Sequence, residues 1–338
     1  MIRTEAELDD RLSEPTPGVI ETLARLPGDI VFLGVAGKMG PSLARMAKRA
    51  SDAAGVKRRV IGVSRFSSGD DAPLRDHGIE TIRCDLLNES EVDKLPDAPN
   101  VVYMPARKFG ATGDEAATWA VNCYLPALVC KRYPRSRFVA FSTGNVYPLS
   151  PVSSGGSRET DPPNPVGEYG MSALGRERIF EYFSRTRGIP VSIIRLNYAV
   201  DLRYGVLVDL ARKVQAGEPV DLAMGHFNTI WQGDANALTL RAFDHCSTPP
   251  RAFNVTGPET LSVRSVCERF GELFGKPPQF TGVESDTALL SNATATLAEL
   301  GPLRVPTDQL IEWVADWVAG GGRLLNKPTR FEARDGKF

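Results

Sequence analysis

Three glycines at the spacing Gly-x-x-Gly-x-x-Gly, Gly34, Gly37 and Gly40, form the pattern in this chain that most directly implies chemistry. They follow a short apolar run, Ile30-Val31-Phe32-Leu33. They precede apolar residues at helical intervals: Met39, Leu43, Met46, Ala47 and Ala50. Strand, tight turn and helix in that order set backbone N–H groups at a helix N-terminus, where they hold a pyrophosphate. Glycine suits such a turn because it reaches unusual φ, lets phosphate approach and packs helix tightly on sheet. Residues 34–40, including Lys38 and Met39, are therefore expected at a dinucleotide. A second strand over 59–63 ends at Ser64-Arg65, where NAD-binding domains usually carry an acid for the ribose hydroxyls. An uncharged Ser64 beside the cations of Arg65 and Lys38 suits a 2′-phosphate, so NADP is expected ahead of NAD.

These residues need a scaffold, and the rest of the chain supplies one. Strands are expected over 81–86, 100–106, 137–141 and 191–196, the second of these ending in Pro105-Ala106 and opening into a loop that holds Lys108. A helix from about Asp114 carries Trp119, Asn122 and Cys123 on one face, with Pro126 as a site for a kink. Another runs over 168–187 and is stopped by Gly188 and Pro190. This alternation implies an α/β fold, a doubly wound parallel sheet of Rossmann type. Ahead of it, Thr4-x-x-Glu7 has capping-box spacing and 17–26 reads as a second helix, so residues 1–28 form an N-terminal helical extension.

Composition narrows the classes further. Among 338 residues, 40 are basic and 41 acidic, and no basic block suggests nucleic acid. No apolar run approaches the ~18 residues of a membrane span, and the polar N-terminus does not resemble a secretory signal. Five cysteines without C-x-x-C spacing read as reduced thiols in a cytoplasmic protein. No His/Cys cluster has metal-ligand spacing.

Taken together, the residues resemble the extended short-chain dehydrogenase/reductase family, the NAD(P)-dependent sugar epimerase/dehydratase group, over roughly 29–320. The resemblance rests on the glycine turn, Cys84-Asp85-Leu86, Ser142-Thr143-Gly144-Asn145-Val146-Tyr147 and Glu168-Tyr169-Gly170-Met171-Ser172. Arg195, Trp231-Gln232-Gly233-Asp234-Ala235 and Phe253-Asn254-Val255-Thr256-Gly257 add to it. It implies a dinucleotide-binding domain from 29–199 plus 230–257, and a smaller substrate domain from 200–229 plus 258–338. Asp85 and Leu86 would flank the adenine, with Pro105, Ala106 and Asn122 also on the cofactor side. Thr143 would polarise the reacting oxygen and Tyr169 would act as acid/base. Asn145, Asn197, Tyr198, His226 and Trp231, with Arg203 and Asn228, are the polar and aromatic residues expected to line a pocket for a carbohydrate. A homodimer through the helices beginning near Asp114 and Glu168 is also implied.

One departure stands out. The family pattern Tyr-x-x-x-Lys ends here in Ala173. A phenol with its usual pKa near 10 costs roughly 4 kcal/mol to ionise at pH 7, part of which a neighbouring cation recovers. Lys108 and Arg176 are the two substitutes, Lys108 being placed in the catalytic set. The implied activity is an NAD(P)-dependent oxidoreductase or epimerase on a hydroxyl or keto group of a sugar. The alternative is a non-catalytic NAD(P)-binding sensor or scaffold. A lyase is disfavoured because Gly144-Asn145, not an acid, follows Thr143.

Overall fold

The computed structural model describes residues 2–67, 69, 71–108, 110 and 113–337. Seven strands form the main sheet: β1 (Ile30–Leu33), β2 (Val60–Ser64), β3 (Glu80–Arg83), β4 (Asn100–Tyr103), β5 (Arg137–Thr143), β6 (Val191–Leu196) and β7 (Arg251–Val255). Their order is β7-β6-β5-β4-β1-β2-β3, and every neighbouring pair is parallel. The winding reverses between β1 and β4, which opens a crevice at the carboxyl ends of the strands. All of β1 is buried. Val31 and Leu33 face one core with Ile61, Val101 and Phe138, while Ile30 and Phe32 face the other with Val60, Val139 and Ile194. Covered on both faces, such strands read as continuous apolar runs without alternation.

A third core lies among the helices Val206–Ala216, Val263–Phe274 and Thr307–Ala319, where Leu210, Phe270 and Val314 meet. The first 28 residues serve two of these cores. The helix Glu5–Leu12 opens on the capping box expected from sequence, Thr4 Oγ1 accepting from the Glu7 N–H at 3.2 Å. Its Leu8 and Leu12 are buried in the third core, whereas Val19 and Leu23 of Pro17–Arg25 pack on the sheet side. Arg203 ties that first helix down, donating to Asp9 at 2.9 Å and to Asp201 at 2.7 Å.

Several boundaries differ from expectation: β4 ends at Tyr103 rather than 106, and β5 runs on to Thr143 rather than stopping at 141. β3 stops at Arg83 rather than running to 86, and the Asp85 N–H donates to the Glu91 carboxylate at 2.7 Å instead of joining the sheet. The segment read as one kinked helix is Glu115–Trp119, a π-turn at Ala120–Tyr124, then Leu125–Arg132. The wider turn lies just upstream of Pro126, whose ring cannot supply the regular i→i−4 bond. No helix among the described residues is long and apolar enough to cross a membrane.

Candidate active site

The glycine turn does what its spacing implies. Gly34 sits at φ 81°, in the left-handed region, and a Cβ on Gly40 would lie 2.0 Å from the Val35 carbonyl oxygen. Both positions therefore require glycine. The helix Gly40–Ala53 that follows has no side-chain cap; Pro41 carries no N–H and the Gly40 N–H bonds to the Gly37 carbonyl, so the positive end of the helix dipole, more than a row of N–H groups, suits a phosphate here. The residues present fit a dinucleotide.

Two cavities flank this turn and share Gly34, Gly37 and Met104. The first, about 310 Å³, is walled by Ser64, Arg65, Asp85, Leu86, Pro105 and Ala106, six of the residues expected beside the cofactor. Asp85 is held there by its Oδ1, which accepts from the Leu87 N–H at 3.1 Å. The second, about 300 Å³, is lined by Lys38, Met39, Lys108, Thr143, Asn145, Asn197 and Tyr198. Lys38 thus faces the second cavity and not the Ser64–Arg65 end where a 2′-phosphate would sit.

Thr143 ends β5 and caps the short turn Gly144–Val146, its Oγ1 accepting from the Asn145 N–H at 3.2 Å. A buried network fixes this strand end. Ser142 donates to Glu177 at 2.5 Å, Glu177 holds Arg195 through bonds of 3.0 and 2.8 Å, and Arg195 reaches the Tyr147 hydroxyl at 2.6 Å. The helix Gly167–Arg187 lies on the same turn because Gly170 has no side chain; a Cβ there would meet the Asn145 carbonyl oxygen at 2.7 Å. That close approach sets Tyr169 in the first turn of the helix, next to the Thr143 turn.

Ala173 is fully buried against Val146 and Tyr147, so the position that carries lysine in the family pattern is filled with apolar contacts. Arg176 is also buried, but it donates to the Phe141 carbonyl at 2.9 Å and to Asn122 Oδ1 at 2.6 Å, which makes it a strut between helix and sheet. Lys108 is different. Its Nζ stands 5.8 Å from the centroid of the Tyr169 ring and donates to the Thr329 carbonyl at 3.3 Å. Burial, with Arg330 nearby, brings its pKa down to about 8.

Several residues chosen from sequence lie elsewhere. Trp231 is buried in the third core with its ring 5.4 Å from that of Trp313, and His226 pairs with Ser262 in a two-stranded ribbon; neither lines the cavity. Arg203 is taken up by the acids of the N-terminal helix, and Asn228 by the Ser291 N–H and the Glu259 carbonyl. Asn122 is buried behind the site, accepting from the Arg107 N–H and donating to Ser172. Trp231, His226, Arg203 and Asn228 were selected by side-chain type, which does not say which core claims them, whereas Asn122 was expected in the helix backing the site.

Sequence reasoning missed Tyr204, Gln232 and Thr329, which also line the second cavity. Thr329 arrives from the C-terminal segment. Asp209 accepts from its N–H at 2.8 Å and its hydroxyl at 2.7 Å, Phe331 is buried in the third core, and Ala333 packs on Tyr169. No local pattern marks that segment. Tyr198 is held at φ 48°, unusual for a bulky residue, with its carbonyl accepting from Thr229 Oγ1 at 2.6 Å. Among the described residues, no group of three or more His, Cys, Asp or Glu is placed to hold a metal.

The model of the NAD dependent epimerase/dehydratase family matches residues 30–255, two thirds of the sequence. The chain belongs to that family. No curated protein matches it by sequence. Among solved structures, this family member is similar to an epimerase of Methanothermobacter thermautotrophicus, with a TM-score of 0.74 and 16% identity over 90% of this chain and 96% of that one. It is also similar to the UDP-glucuronic acid 4-epimerase of Bacillus cereus, solved with UDP-glucuronic acid and NAD (TM-score 0.70, 18% identity, 86% and 99% covered). A third is the UDP-glucose 4-epimerase of Thermus thermophilus in complex with NAD (TM-score 0.69, 20% identity, 86% and 99% covered). At these identities the likeness is one of fold.

Proposed function

We propose that this family member is an NAD(P)-dependent oxidoreductase or epimerase acting on a hydroxyl or keto group of a sugar or sugar-like substrate. The observation that carries the reading is one cavity, continuous with the dinucleotide crevice, in which Thr143 and Lys108 converge beside Tyr169. Bound across the glycine turn, a nicotinamide cofactor supplies or accepts a hydride at a substrate carbon. The Thr143 hydroxyl donates to the substrate oxygen in place of its present bond to Asn145. Tyr169 takes the proton from a substrate hydroxyl, or returns it to a carbonyl. The Lys108 ammonium stabilises the phenolate that accepts the proton in the first case and is left behind in the second, replacing the cation that Ala173 does not provide.

On the adenine side, Ser64 and Arg65 favour NADP, although two of the similar structures named above hold NAD. A homodimer through the helices 115–132 and 167–187 is supported by their exposed Trp119, Tyr124, Met171 and Tyr182. Light scattering at micromolar concentration tests it, and a monomer there removes it. For the activity, the test is titration with NADPH and NADH, followed by a sugar panel read at the nicotinamide absorbance. Turnover that survives both Tyr169→Phe and Thr143→Val overturns the assignment. Tight cofactor binding with no turnover over a broad panel favours the non-catalytic sensor.

A further inference from the structure

The C-terminal segment 326–337 lies outside residues 30–255 that match the family, yet it reaches the second cavity through Thr329. It is fastened at several points. Phe331 is buried with its ring 6.0 Å from that of Phe227. Arg334 donates to the Thr287 carbonyl at 2.8 Å and to the Thr287 hydroxyl at 2.7 Å, and Lys213 pairs with Glu332 at 3.0 Å. On either side of Thr329 the backbone turns sharply. Asn326 and Arg330 sit at φ 51° and 52°, in the left-handed region that residues with a Cβ seldom enter. Backbone of that kind persists only where its surroundings over-determine it, and it gathers at functional sites.

Thr329 is what this turn delivers. Its N–H and its hydroxyl both donate to one carboxylate oxygen of Asp209, at 2.8 and 2.7 Å, and the hydroxyl accepts from the Phe331 N–H at 3.3 Å. The side chain is thus engaged by the protein's own groups. The carbonyl meets the site, accepting from Lys108 Nζ at 3.3 Å. The same Nζ stands 5.8 Å from the centroid of the Tyr169 ring, and Ala333 packs against Tyr169. One short stretch of chain therefore touches both the cation and the phenol. A lysine has much rotamer freedom to lose, and a fixed acceptor removes it before any substrate arrives.

We propose that Thr329 is a positioning residue: clamped by Asp209, its carbonyl aims the Lys108 ammonium at Tyr169, in place of the lysine that Ala173 does not supply. This rests on reading Lys108 as the cation of the site, and it deepens that reading by naming what holds the cation there. Thr329 acts through Lys108 and not on the substrate. The charged and titratable groups facing Lys108 are Arg330 on the same segment, Lys38 on the glycine turn and Tyr169 on the helix 167–187. Burial, with Arg330 nearby, keeps the amine at about 8, and a lysine released from the segment regains water and moves back toward its ordinary 10.5.

The experiment labels the full chain with trace acetic anhydride between about pH 6 and pH 11, a range that spans the ordinary lysine value, and reads Lys108 by peptide mass spectrometry. It needs no substrate. The expected midpoint is about 8 in the parent and climbs toward 10.5 in Thr329→Val and in Asp209→Ala. Thr329→Ser keeps the hydroxyl and should titrate with the parent, which separates a lost bond from a lost fold. On the sugar that the panel identifies, Thr329→Val should lower kcat roughly tenfold, as Lys108→Met does, and the two together should cost no more than either alone, because they break one interaction. Two results overturn the proposal: a Lys108 midpoint indifferent to Thr329→Val and Asp209→Ala, or a loss from Thr329→Val that is as large in Lys108→Met as in the parent. Full turnover in Lys108→Met overturns the reading of Lys108 itself and takes this inference with it. That failure is told apart from the other two because no Thr329 variant takes part in it.

Discussion

The two cavities beside the glycine turn are built in different ways. The adenine-side cavity is walled by chain that leaves the ends of neighbouring strands: Ser64 to Ser67 after β2, Cys84 to Leu87 after β3, and Met104 to Ala106 after β4. Each wall is a local consequence of strand order, so the cavity follows from the topology alone. The second cavity draws on Lys38, Lys108, Thr143, Tyr198 and Tyr204, with Thr329 added from the C-terminal segment. A cavity walled by strand ends thus adjoins one whose lining comes from distant parts of the chain. On the proposed reading, cofactor binding belongs to the strand order and substrate choice to long-range packing.

The largest expected effect tests the second cavity. Tyr169→Phe should lower kcat by a factor on the order of 100 or more, the usual scale of a lost acid/base group, with NAD(P)H affinity unchanged within about twofold. A parallel loss of cofactor affinity would mean that the two cavities are not separable. The converse variant is Gly40→Ala, whose Cβ would meet the Val35 carbonyl at 2.0 Å. It should cost about 3 kcal/mol in stability and weaken every nicotinamide dinucleotide alike, as read by denaturant titration and fluorescence. Unaltered cofactor binding would show that the turn tolerates what its geometry forbids.

Lys108→Met comes next. A drop in kcat of roughly tenfold is expected, because the cation supports only part of the cost of ionising the phenol. In the parent, the lysine-dependent part of the rate is present below pH 8, where the ammonium is charged, and disappears as the pH rises past that value. Lys108→Arg should carry the limb to higher pH. A limb unmoved by arginine belongs to another group. Smaller still is the effect of Ser64→Asp, which places an acid at the end of β2 and should shift the NADP:NAD affinity ratio by roughly tenfold toward NAD. Equal affinities before and after would remove Ser64 and Arg65 from cofactor choice.

The same contrast explains what the sequence makes legible. Apolar runs gave the strands of the sheet, and the glycine spacing and Asp85-Leu86 marked the residues that now wall the first cavity. β3 was overrun by three residues because Cys84-Asp85-Leu86 looks extended until Glu91 claims the Asp85 N–H. Thr143, which lines the second cavity, and Tyr169, near Lys108, were recognisable from a family motif. Tyr204 and Thr329 were not, since nothing local to Thr329 records that Asp209, 120 positions earlier, will hold it. His226 and Trp231 fail in the opposite sense: their types suggest a site, but a ribbon and a core absorb them.

The finest test concerns the charge on Lys38 and is read as stability. In the folded chain this amine has a pKa of about 7, against 10.5 as its ordinary value. Below pH 7 it is protonated in both states, and the folded chain bears the whole cost of confining the charge. Between pH 7 and 10.5 the folded chain has released a proton that the unfolded chain retains, so this contribution to stability rises with pH. Lys38→Met removes the slope. The variant should therefore melt above the parent at pH 6, and the difference should fade as the pH approaches 10. A gap of equal size at pH 6 and pH 9 would mean that the ammonium is fully hydrated and feels no neighbouring cation. The second cavity would then be electrostatically as ordinary as the first.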